Sequence, residues 1–167
     1  MQQQQGWVHL LQQQSAAKKL PWQLVNASIS GETTAGGLAR LPQLLQQHQP
    51  DTVLIELGGN DGLRGFPIPT IEKNLLQIIE LVKAQQAQPV LMQIRIPPNY
   101  GPRYTQMFVA LYPLLAEQQQ LTLWPFFMDK IATEPDLMQA DGIHPNVKAQ
   151  ARISNIMLPL LEALVED

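Results

Sequence analysis

Short apolar, β-rich runs alternate along this chain with longer segments of helical period, and that alternation restricts it to a few architectures. The runs are Trp22–Asn26, Thr52–Leu57, Pro89–Ile94 and Leu121–Trp124. Between them, Leu38, Leu41, Leu44 and Leu45 recur at three- to four-residue spacing, as do Ile71, Leu75, Ile78, Ile79 and Val82, and again Tyr104, Met107, Phe108 and Leu111. The order reads β-α-β-α-β-α-β, closed by a helix carrying Ala149, Ile153, Ile156, Met157, Leu160, Leu161 and Leu164. Strands that alternate with helices favour a parallel sheet covered by helices and joined by right-handed crossovers, an α/β fold. Pro113 and Pro159 fall inside helical patterns, where a missing N–H is expected to kink or break the helix.

With 167 residues, 45% of them hydrophobic, the chain has the size and apolar content of one domain with a true core. Nothing marks a linker, a repeat or a second domain, so 1–167 reads as a single domain. Eleven Lys and Arg stand against fourteen Asp and Glu, a net charge of −3. No basic run exceeds Lys18-Lys19, which argues against nucleic acid as a partner. The absence of Cys rules out disulfides and thiolate metal sites. No apolar run approaches the ~20 residues needed to span a bilayer. Met1–Gly6 has neither the basic and apolar regions of a signal peptide nor the Val/Ile-rich run of a buried strand. Any export signal is therefore expected upstream, and a chain starting at Met1 would be cytoplasmic. Most of the abundant Gln lies on helix faces opposite the Leu stripes and reads as solvated surface, as do His9 and His48 in their Gln-rich helical stretches.

Three motifs carry chemistry, and each is placed where a parallel sheet binds ligands, at a strand's carboxyl end or before the final helix. Gly58-Gly59-Asn60 follows the second run. It is either a tight βα turn, or a place where glycines admit a ligand while the Asn60 amide donates to a developing oxyanion. Gly31 follows Ser30 just ahead of a helix for which Thr33 or Thr34 is the expected N-cap. Its N–H belongs to the cap region or serves as a second oxyanion donor. Asp141-Gly142-Ile143-His144-Pro145 is sharper, because this spacing lets the carboxylate fold back onto one imidazole nitrogen and leaves the other free to take a proton. A base with its orienting acid points to hydrolysis, with no metal or organic cofactor.

Taken together, Asn26-Ala27-Ser28-Ile29-Ser30-Gly31, Glu56-Leu57-Gly58-Gly59-Asn60-Asp61, Met92–Pro97 and Asp141–Pro145 resemble the SGNH, or GDSL-type, hydrolases, in their thioesterase I, lysophospholipase and arylesterase branch. The resemblance runs through residues 7 to 165. It implies a three-layer, flavodoxin-like α/β/α fold. It also implies serine-type hydrolysis of a small-molecule acyl ester or thioester, and a periplasmic or exported setting. Gly31 and Asn60 match the family's oxyanion donors, His144 its base and Asp141 its third triad member.

The family's serine sits in a Gly-Asp-Ser-Leu block at the end of its first strand. This sequence begins after that block, with Trp7–Leu11 resembling the helix that follows the serine. The nucleophile, its backbone donor and a central strand are thus expected to be missing, and the chain as given is expected to be nearly inactive. Ser28 and Ser30 are not substitutes, because the family carries the same run beside its true nucleophile. A non-catalytic acyl-binding module and a gene fragment are the alternatives.

Overall fold

The computed structural model describes residues 5–166. Met1–Gln4, read above as neither leader nor strand, and Asp167 lie outside the described residues. In chain order the elements are α1 (Trp7–Ala17), α2 (Thr34–His48), β1 (Thr52–Ile55), α3 (Gly59–Leu63), α4 (Ile68–Ala84), β2 (Gln88–Met92), α5 (Pro102–Gln119), β3 (Thr122–Trp124) and α6 (Val147–Glu166). Short 3-10 turns lie at Pro98–Tyr100, Phe127–Lys130 and Pro135–Leu137. They group into two compact units, one of Ala27–Phe126 and one formed by the residues up to Asn26 with those from Phe127 onward.

The Ala27–Phe126 unit is an α/β layer. Its three strands run parallel in the order β1-β2-β3, with Thr52 opposite Gln88 and Val90 opposite Thr122. β2 is central and buried at Val90, Leu91 and Met92, as an apolar run of a parallel sheet should be. α4 sinks Ile71, Leu75, Ile78, Ile79 and Val82 into this core, and α5 adds Phe108, Leu111, Tyr112 and Leu115. Each row recurs every three to four residues, which places it on one face of its helix.

In the other unit α1 packs on α6. Leu11, Ile153 and Met157 are fully buried, and Trp7 meets Phe127 at 6.2 Å between ring centroids. Polar groups close the same contact. Gln150, 1% exposed, accepts the Trp7 N–H at 3.0 Å at the start of α1, and Gln14 Oε1 accepts the Ser154 hydroxyl at 2.8 Å. Gln150 is thus an exception to the solvated surface that most of the Gln was expected to form. Its amide is affordable inside because its oxygen satisfies a helix-end donor.

Three further readings are corrected. Trp22–Asn26 is not a strand, and the sheet has three strands rather than four. A strand exists only through its ladder, and this run joins no strand of the sheet while Val25 stays 50% exposed. The remaining strands are also shorter than the apolar runs, because pairing ends before apolarity does. Lastly, the expected break at Pro113 and Pro159 does not occur, since α5 and α6 continue through both. Packing along the whole helix outweighs the lost hydrogen bond in each case.

Candidate functional site

In the Ala27–Phe126 unit, Gly31 and Asn60 are brought together. The loop ahead of α2 is pinned from several sides. Arg40, in the second turn of α2, donates to the Ala27 carbonyl at 2.7 Å and to the Glu32 carboxylate at 3.0 Å. Asn60 Nδ2 donates to the Glu32 carbonyl at 2.9 Å, and Arg64 donates to the Gly31 carbonyl at 3.3 Å. An amide nitrogen carries two N–H groups, so the bond to Glu32 orients the Asn60 amide and leaves its second N–H for a ligand. Gly31 has φ +77°, and a Cβ there would meet nothing within 4 Å. Glycine is required by the left-handed backbone, and the space beside it is open.

The turn after β1 explains why Asn60 stands where it does. Gly58 has φ +105°, and a Cβ built there would lie 2.2 Å from the Tyr112 hydroxyl oxygen. That hydroxyl donates to the Leu57 carbonyl at 2.9 Å and so clamps the strand end. Burial, and then the neighbouring Asp61 charge, raise the Tyr112 pKa well above that of a free phenol, which keeps it a donor. Thr33 is the N-cap of α2, its side chain accepting the Gly36 N–H at 3.2 Å.

In the other unit, Asp141 and His144 occupy the tip of a loop closed by an antiparallel bridge between Met138 and Pro145. The Gln139 N–H donates to the His144 carbonyl at 2.8 Å. Asn146 then begins α6, its side-chain oxygen accepting the Lys148 N–H at 2.9 Å. Within this loop Asp141 Oδ2 lies 2.8 Å from His144 Nδ1, and Oδ1 accepts the Ile143 and His144 backbone N–H groups at 2.9 and 3.0 Å. Those bonds, led by the His144 backbone N–H and then its ring, lower the Asp141 pKa to about 2. An ionised carboxylate only accepts, so Nδ1 carries the proton and Nε2 presents its lone pair. The pair is exposed, 60% for the His144 side chain and 44% for Asp141.

Several contacts of this framework were not foreseen in the sequence. Asp61 and Thr34 form a buried polar pair that Asn74 joins from a half-buried position. Tyr100 and Tyr104 donate to the carbonyls of Leu63 and Phe66 at 2.9 and 2.6 Å and hold the segment after Asn60. The available signals were the adjacency of Asp61 to Asn60 and the place of Thr34 as one of the two expected caps. Among the described residues no group of His, Asp and Glu could hold a metal ion.

Known proteins share this sequence and fold. The pattern of the GDSL-like lipase/acylhydrolase family matches residues 2–152. An arylesterase of Vibrio mimicus is 57% identical over 134 residues, 80% of this chain and 67% of that protein. The thioesterase 1/protease 1/lysophospholipase L1 of Escherichia coli K12 is 56% identical over 142 residues, 85% of this chain and 68% of that protein. The crystal structure of a psychrotrophic esterase, EstA, from Pseudoalteromonas sp., inhibited by monoethylphosphonate, superposes with a TM-score of 0.97 at 47% identity, covering 100% of this chain and 91% of that one.

Proposed function

The chain belongs to the GDSL-like lipase/acylhydrolase family, and we propose that its fold hydrolyses ester or thioester bonds of acyl substrates by a serine acyl-enzyme route. The observation that carries this reading is the Asp141–His144 pair, a base with its tautomer fixed at 2.8 Å and its second nitrogen unclaimed. In the proposed reaction His144 Nε2 takes the proton of a serine hydroxyl as the oxygen attacks the acyl carbonyl. Asp141 stabilises the resulting imidazolium. The Gly31 N–H and the second N–H of Asn60 donate to the oxyanion. His144 then returns the proton to the leaving alcohol or thiol, and the same base activates water to release the acid.

Support comes from the named activities of the relatives, arylesterase and thioesterase/lysophospholipase, and from the phosphonate that inhibits the esterase. A tetrahedral phosphonate imitates the intermediate of acyl transfer. Ile29, 56% exposed and two residues from Gly31, adds an apolar surface suited to an acyl chain. On this reading residues 1–167 act as one hydrolase domain, in the exported or periplasmic setting of the branch it resembles.

The attacking serine is the member of the set that these residues do not supply, since no Gly-Asp-Ser-Leu block occurs among them. A second reading is an acyl-binding module without turnover. Assaying p-nitrophenyl butyrate with the 167-residue chain, and with the same chain preceded by a strand ending in Gly-Asp-Ser-Leu, separates the two. The hydrolase reading expects a trace rate for the first and a rise of about 10³-fold or more for the second. An extended chain that binds acyl ligands and stays inert would favour the binding module.

A further inference from the structure

Asp61 takes no part in the chemistry just described, yet it is fully buried, 0% exposed. A carboxylate out of water is costly unless its oxygens are well bonded. Both are bonded, and to one residue. Thr34 N donates to Oδ2 at 2.9 Å and Thr34 Oγ1 lies 2.5 Å from Oδ1. Asn74 Nδ2 donates to the same Thr34 hydroxyl at 3.0 Å, so the single hydroxyl proton is directed at Asp61. The polarity of the chain is thereby fixed, with Asp61 the acceptor at both oxygens.

The placement of this clasp gives it a consequence. Thr34 opens α2 three residues after Gly31, and Asp61 follows Asn60 directly. One carboxylate therefore joins the two backbone segments that carry the two oxyanion donors. The other ties between these segments, from Asn60 to Glu32 and from Arg64 to Gly31, are neutral at the acceptor and closer to solvent. A fully buried, two-pronged bond is the stronger constraint. We propose that Asp61 is a positioning residue, which through Thr34 sets the Gly31 loop against the start of α3 so that the Gly31 N–H and the Asn60 amide address one oxygen. This inference deepens the ester-hydrolase reading and rests on it.

The competing account is that Asp61 merely caps α2, by accepting an N–H from its first turn, and so adds stability alone. The test uses the 15N-labelled 167-residue chain, with octanoate as a probe that imitates the product carboxylate. Asp61→Asn removes the carboxylate and Thr34→Val the hydroxyl prong of the clasp, each with little change of shape, whereas Thr34→Ser keeps both donors. In the absence of octanoate, the Gly31 amide and Asn60 side-chain resonances should shift in Asp61→Asn and Thr34→Val and stay in place in Thr34→Ser. Octanoate binding should weaken about tenfold or more in the first two and be retained in the third. Should Asp61→Asn not fold, the Thr34 pair decides on the same signals. Variants that unfold at lower urea yet keep the parent's Gly31 and Asn60 signals and octanoate affinity would overturn the proposal in favour of a simple cap. If the parent chain does not bind octanoate, the hydrolase reading fails, and the unliganded resonances still judge the positioning role.

Discussion

Asp141 carries the most strongly conditioned carboxyl of the candidate site. Its ordinary pKa of 3.8 is lowered to about 2, first by the His144 backbone N–H, then by the His144 ring and the Ile143 N–H. Because the folded group titrates below its ordinary value, the turn gains from the ionised form at pH above 3.8 and loses that gain as pH falls through about 2. Carboxyl 13C titration of the folded chain should find the Asp141 midpoint near the lower value. His144→Ala should raise it only part of the way, since both backbone donors remain. A parent midpoint in the ordinary carboxylate range would remove the argument for the His144 tautomer. This pair was legible in the sequence because acid and base lie three residues apart and one turn joins them. The Asp61–Thr34 clasp was not, because it joins residues 27 apart that only the folded chain brings together.

Among the elements, the joint between β1 and α3 is the tightest fitted. Gly58→Ala puts a side chain at φ +105° and its Cβ 2.2 Å from the Tyr112 hydroxyl. Urea unfolding should register a loss of about 2 kcal/mol or more, from backbone strain and overpacking together. Combining it with Tyr112→Phe should recover part of that loss, because the clashing oxygen is gone; additive losses would show that the hydroxyl is not the obstacle. In α4, Leu75→Ala empties a fully buried position and should cost about 2–5 kcal/mol. The helices were readable in advance for the same reason that this substitution is costly, since a stripe such as Ile71, Leu75, Ile78 and Val82 is both the signal and the core. Trp22–Asn26 misled because apolar, β-rich composition does not supply a pairing partner. The burial of Gln150 was not legible because it depends on the Trp7 N–H, 143 residues away.

For the whole molecule, fold class and family followed from the order of runs and motifs, while the working geometry depends on contacts distant in sequence. The account's central claim is that the Asp141–His144 pair is the base, and the Asn60 amide an oxyanion donor, of an ester hydrolysis. It is tested most directly by steady-state kinetics on p-nitrophenyl butyrate, using the chain joined to a preceding Gly-Asp-Ser-Leu strand. Removing the base of a serine hydrolase costs up to about 10⁶ in kcat, and removing one oxyanion donor costs about 10² to 10³. The predicted result is a kcat loss on the first scale for His144→Ala and on the second for Asn60→Ala, with KM little changed in either. Turnover that survives both substitutions at the parent rate would contradict the claim.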